Sequence, residues 1–156
     1  MKKLMFLLIP MLMLSCQDKQ ALKELATFKA QQALEEQNKS VIKRYWDGKW
    51  NERRPEILDE LLTKDVIHHG STDEIHGIEE YKNVYNTYLS AMDNTRFEIK
   101  ELIAEGDLVM SRGICYGTYN GKLGDIYPVG KEITVRFFTV FRLIDGKIAE
   151  EWELFQ

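Results

Sequence analysis

At 156 residues and a formal charge of −4, the chain is about one domain long and mildly acidic. Hydrophobic content of 44% against 29% charged is ordinary globular composition and excludes a disordered chain. No basic cluster is available to neutralise phosphates, so no nucleic-acid partner is expected, and two cysteines (Cys16 and Cys115) are too few for a disulfide framework.

Residues 1–15 read as a signal peptide. Lys2-Lys3 provides a charged start, and Leu4 to Leu14 is almost wholly apolar. The run is far shorter than the roughly 20 residues needed to cross a bilayer. The junction Met13-Leu14-Ser15-Cys16 resembles the lipobox of bacterial lipoproteins. That resemblance implies lipidation of Cys16, export to the bacterial cell envelope and a membrane anchor at the mature N-terminus. Residues 16–37 then form a tether. Gln17 to Gln37 lacks Gly and Pro and is rich in strong helix formers, but Leu22, Leu25, Phe28 and Leu34 make no sustained stripe or heptad.

The domain proper is expected over residues 38–156. Val41, Ile42, Tyr45 and Trp46 share one helical face, and Asp47-Gly48 reads as the end of that helix. Asn51 is placed to cap a second helix with Pro55 in its first turns and Ile57, Leu58, Leu61 and Leu62 as its buried stripe. Val66 to His69 reads as a short strand running into Gly70-Ser71. Gly77 opens a third helix, in which Ile78, Tyr81, Tyr85, Tyr88 and Met92 recur at steps of three and four.

From Thr95 the pattern turns to strands. Phe97–Ala104 and Leu108–Tyr119 flank Glu105-Gly106-Asp107, and a Gly-rich loop follows from Asn120 to Gly130. Ile133, Val135, Phe137, Thr139, Phe141 and Leu143 alternate with more polar neighbours. Asp145-Gly146 supplies a turn, and Lys147 to Phe155 returns as a partner strand. Glu151 and Glu153 lie on one face of that strand, with Ile148, Trp152 and Leu154 on the other. A two-residue turn pairs Thr139 with Trp152 and Phe138 with Glu153, which turns both carboxylates outward. A three-residue loop pairs Thr139 with Glu151 and Phe137 with Glu153, which turns them inward. Helices followed by a meander indicate an α+β fold, with helices covering one face of a curved antiparallel sheet.

Three stretches in this order are similar to the SnoaL-like polyketide cyclase group of the nuclear-transport-factor-2-like fold. They are Val41–Trp50 running to Asp65-Val66-Ile67-His68-His69, then Gly77-Ile78-Glu79-Glu80-Tyr81, then Gly106-Asp107 through Pro128-Val129-Gly130-Lys131 to Asp145–Glu153. The resemblance implies a cone that encloses a pocket, often as a homodimer, and favours the inward register. It places the general acid/base of the group on Glu153 and a pocket tyrosine on Tyr45. It puts a histidine at His69, or at His68 if the register slips by one. The chain also departs from the group: a pocket histidine falls on Thr139, a pocket asparagine falls on Val84, and the catalytic aspartate is a glutamate.

The resulting expectation is cofactor-independent acid-base chemistry on a small apolar carbonyl or ester compound. Glu153 would serve as base, assisted by Glu151 and His69, within walls of Tyr45, Trp46, His68, Phe137 and Thr139. The rival is a non-catalytic module of the same fold that binds a ligand or dimerises. No metal centre is expected, because the adjacent His68 and His69 must point to opposite faces of a strand. Cys115, inside a strand, reads as a small buried hydrophobe, and the tyrosine stripe of the third helix reads chiefly as core.

Overall fold

The computed structural model describes residues 8–70, 74–123 and 128–156. Residues 1–7 of the expected leader, Ser71 and residues 124–127 of the Gly-rich loop lie outside them. The chain divides into two compact units, Met1–Leu34 and Glu35–Gln156. One helix, α1, runs Leu8–Trp46 and includes Cys16. In the first unit Leu22, Leu25, Phe28 and Leu34 are exposed, and helical propensity rather than burial carries the backbone there. Among the described residues, no helix is long and apolar enough to cross a membrane.

In the second unit the α-helix ends at Trp46, next to Asp47-Gly48, but the helical backbone runs on. It widens into a π-helical turn, Asp47–Asn51, that buries Lys49 and Trp50. Gly48 is there for contact, not termination, since a Cβ on it would meet Ile57 Cγ1 at 2.8 Å. Helix α2 is only Ile57–Leu61, and Glu56, not Asn51, precedes it. The Asn51 side chain instead bonds both the N–H (2.8 Å) and the carbonyl (3.0 Å) of Phe97 on an edge strand, as a neighbouring strand would.

Strand β1 spans Leu62–His69, which takes Leu62 out of the second helix. The short β2, Glu74–His76, has no clear sequence signal. Helix α3, Ile78–Ala91, follows Gly77, whose φ of +82° suits glycine. Then come β3 (Met92–Glu105), β4 (Leu108–Tyr119), β5 (Glu132–Ile144) and β6 (Lys147–Phe155). The sheet order is β2-β1-β6-β5-β4-β3, antiparallel except where β1 runs parallel to β6. The α+β architecture expected from the sequence is therefore present, with one parallel pair in its sheet.

The core lies between the helices and one sheet face. Trp46 stacks on Phe97 at 5.0 Å and packs against Phe137 at 4.6 Å, while Trp50 also stacks on Phe97 at 4.8 Å. On the opposite face Ile103, Met110, Val140 and Trp152 follow one another in register across β3 to β6.

The β5–β6 hairpin follows neither of the two expected registers throughout. Asp145 (φ +50°) and Gly146 (φ +74°) form a two-residue turn with both central residues left-handed, and Leu143 pairs with Ile148. A bulge at Ala149 then shifts the pairing, so Phe141 faces Glu151 and Thr139 faces Glu153. Ile148 thereby joins the inner face beside the two carboxylates, while Trp152 and Leu154 stay on the outer one.

Candidate active site

Glu151 has no solvent exposure. A lone ion in that position would cost several kcal/mol, so its partners decide whether the fold can tolerate it. Tyr45, on α1, reaches the carboxylate from one side, and Lys49, four residues further on in the π-turn, stands behind it and acts on Glu151 through its charge. Tyr81 on α3 reaches it from another, donating to Oε2 at 2.7 Å. Tyr45 Oη lies 3.1 Å from both carboxylate oxygens and also contacts Tyr81 Oη. Lys49 Nζ donates to Tyr45 at 2.5 Å and to Tyr81 at 2.6 Å, and the ammonium lies over both phenol rings.

Strand β1 supplies the fourth partner. His68 pairs directly with Glu151 across the parallel ladder. Its Nδ1 is an ion-pair contact 3.2 Å from Glu151 Oε2, outside hydrogen-bond alignment, and its Nε2 lies 4.0 Å from Glu153 Oε2. Thr139, fully buried and opposite Glu153, leaves its hydroxyl without a hydrogen-bond partner.

Several expected site residues are thus brought together and others are not. Tyr45, His68, Thr139, Glu151 and Glu153 converge. Trp46 and Phe137 are nearby aromatic core, with the Trp46 indole N–H bonded to Ser111 Oγ at 3.1 Å. His69 is corrected. Strand alternation turns it to the outer face, where it stacks on Trp152 and pairs with Glu74 (2.7 Å) and Glu150 (2.9 Å). Lys49 was missed because Gly48 read as a stop, although its spacing of four from Tyr45 would have pointed to it. Cys115 is a buried free thiol. An open cleft of 520 Å³ is lined by Asn51, Asn94, Thr95, Arg96, Phe97 and Glu98, none of which belongs to the carboxylate cluster.

The electrostatics separate the two acids. Burial works to raise the Glu151 carboxyl, but the Lys49 charge and the contacts of His68 and Tyr81 outweigh it and hold the group below its ordinary value. Glu153 lacks those donors, so burial and then the like charge of Glu151 push it up to about 7. Burial lowers Lys49, partly offset by the two glutamates. His68 ends up raised: burial opposes its charge, but Glu151 and Glu153 more than compensate. Burial and the Glu151 charge raise both tyrosines well above their usual range, so they act as donors. Among the described residues, His68, Glu151 and Glu153 also have donor atoms within 4.8 Å of one another. Because Lys49 already supplies Glu151 with a counter-charge, no cation is assigned to them.

Residues 40–156 match the profile of the SnoaL-like polyketide cyclase family. The chain belongs to that family. Among solved structures, this SnoaL-like chain is similar to a proposed SnoaL-like polyketide cyclase from Jannaschia sp. CCS1, with a TM-score of 0.73 and 21% identity over 79% of this chain and 88% of that one. AclR, a proposed hydroxylase from Streptomyces galilaeus, gives 0.69 and 20% over 78% and 90%. IdmH, a proposed polyketide cyclase from Streptomyces antibioticus, gives 0.66 and 21% over 76% and 91%. At such identities the likeness establishes the nuclear-transport-factor-2-like fold. No curated protein matches the chain.

The raised carboxyl has a measurable consequence for stability. Glu153 binds its proton more tightly folded than unfolded, so its contribution is full below its ordinary value of 4.5 and is lost as pH rises through about 7. His68, also raised, acts in the same direction on its way to deprotonation. Urea unfolding should therefore show stability falling by about 1 kcal/mol per pH unit between roughly pH 5 and 7. Glu153→Gln should flatten most of that slope, and an unchanged slope in the variant would contradict the assignment.

Proposed function

We propose that this SnoaL-like domain is a cofactor-independent acid-base catalyst acting on a small, mostly apolar carbonyl or ester compound. The observation that carries the reading is the pair of inward-facing carboxylates, of which Glu151 is held by Tyr45, Tyr81 and His68 while Glu153 lacks those donors and is pushed up to about 7 by burial and the charge of Glu151. A group poised there can take a proton beside a carbonyl near neutral pH and give it back. In the proposed step, the Glu153 carboxylate removes the proton on the carbon next to the carbonyl, and the bond's electrons pass to the oxygen as an enolate. His68, with Nδ1 against ionised Glu151 and Nε2 toward Glu153, offers an N–H to that oxygen. The proton then returns to carbon, or the enolate attacks a second carbonyl and closes a ring. Tyr45, Trp46, Phe137 and Phe141 form an aromatic surround that excludes water and strengthens each of these interactions.

The rival is a non-catalytic module of the same fold. It draws support from how fully Tyr45 and Tyr81, both bonded by Lys49, occupy the donor side of Glu151. A screen of small esters and enolisable ketones separates the two. Turnover by the full chain should rise through an apparent pKa near 7, and Glu153→Gln should lose about 100-fold or more. Equal turnover by both proteins would remove Glu153 from the mechanism and favour the binding module.

We further propose that the protein is exported and held on the bacterial envelope by a lipid on Cys16. The support is the short apolar run ending in Met13-Leu14-Ser15-Cys16. Expressed in a bacterium, the full chain should fractionate with membranes and incorporate labelled fatty acid, while Cys16→Ser should do neither. Labelling that persists in the variant would rule out this anchor.

A further inference from the structure

We propose that Lys49 is the positioning residue that holds Glu151 as the ionised partner and leaves the exchangeable proton on Glu153. The inference deepens the acid-base reading above by naming what sets the protonation of that site, and it rests on hydrogen-bond direction.

An ammonium has only protons to give, so the two bonds from Lys49 Nζ to Tyr45 and Tyr81 can run one way alone. Each tyrosine oxygen that accepts from Lys49 must send its own single proton onward. Tyr81 sends it to Glu151 Oε2 at 2.7 Å, and Tyr45 faces the same carboxylate at 3.1 Å. The chain ends on Glu151, which can act there only as an acceptor. A proton on Oε2 would face the Tyr81 hydroxyl proton and leave one of them without an acceptor.

Glu153 lies outside this chain. Its side chain keeps 13% exposure against 1% for Glu151, so it is the less buried carboxyl of the pair. The titratable groups facing the pair come from every packed element. They are Tyr45 and Lys49 from α1 and its π-turn, Tyr81 from α3, His68 from β1 and Cys115 from β4. Lys49 is fixed in turn by the Tyr85 hydroxyl, which donates to its backbone carbonyl, and by an aromatic surround of Tyr45, Trp46, Trp50, Tyr81 and Tyr85. Its position is therefore built into the fold.

Without the Lys49 charge the balance should reverse. The drier acid, Glu151, would then take the shared proton, and Glu153 would lose its charged neighbour and ionise at lower pH.

The test is a carbon-13 NMR titration of the glutamate side-chain carboxyls in the full chain, with the Glu153 signal identified by its loss in Glu153→Gln. In the unmodified protein Glu153 should step near neutrality while Glu151 stays ionised. In Lys49→Met, which fills the same aromatic surround without charge, the Glu153 step should fall by about one pH unit or more. The near-neutral step should appear on Glu151 instead. Tyr81→Phe keeps Lys49 but cuts the 2.7 Å arm, and should shift both groups in the same directions by less. It also decides the matter if Lys49→Met does not fold. A folded variant of either kind whose Glu153 step stays in place would overturn the proposal. No substrate enters the measurement, so an inactive protein with the expected titrations would sink the catalytic reading and leave the role of Lys49 intact.

Discussion

A carboxylate sealed inside an aromatic core is the demand around which this domain is organised. Burying an ion without partners costs more than most single interactions can return, and the net stability of a domain this size is only about 5–15 kcal/mol. Glu151 is tolerated because Tyr45, Tyr81 and His68 contact it from three directions and the Lys49 charge stands behind the two tyrosines. Tyr45 and Lys49 come from the end of α1, Tyr81 from α3 and His68 from β1. Each of those elements is then committed to a fixed rotation and register, since any slip would leave an uncompensated charge. Such an arrangement is a poor way to gain stability, because apolar side chains of similar volume would pack without the desolvation cost. A buried charge kept at that cost is better explained by what it does to its neighbour, Glu153.

Much of the fold was legible because its signals are local. Strand β4 ends where the alternation from Leu108 to Tyr119 ends, and Gly77 marks the start of α3. The features that build the site depend on long-range packing and were harder to read. Gly48 resembles a helix stop in isolation, yet its missing side chain lets Ile57 approach, and the helical backbone carries on far enough to bury Lys49. The turn at Asp145-Gly146 was readable, but the bulge at Ala149 was not. A bulge leaves apolar alternation nearly intact and shows itself only when both strands are paired.

The histidines illustrate the same limit. His68 and His69 are equivalent in sequence, and only the parallel pairing of β1 with β6 decides that His68 meets Glu151 while His69 meets Trp152. One residue of register separates a site histidine from a surface one. Family membership sets the fold and the kind of chemistry to consider. It does not choose the substrate, because function lies in the particular groups at the site. Here those groups differ from the pattern the sequence resembles, with Thr139 in place of a histidine and glutamate in place of aspartate. The lysine–tyrosine–glutamate chain is the means we propose for tuning the acid.

The proposed arrangement requires that near neutral pH one of these two inner carboxyls is protonated and the other is not, and that the protonated one is Glu153. Infrared difference spectroscopy of the full chain between about pH 6 and pH 8 tests it most directly, because a protonated carboxyl and a carboxylate absorb in separate regions. One protonated-carboxyl band should fade over this interval and be missing from Glu153→Gln. A band that persists unchanged in that variant would place the proton on Glu151 and overturn the assignment to Glu153.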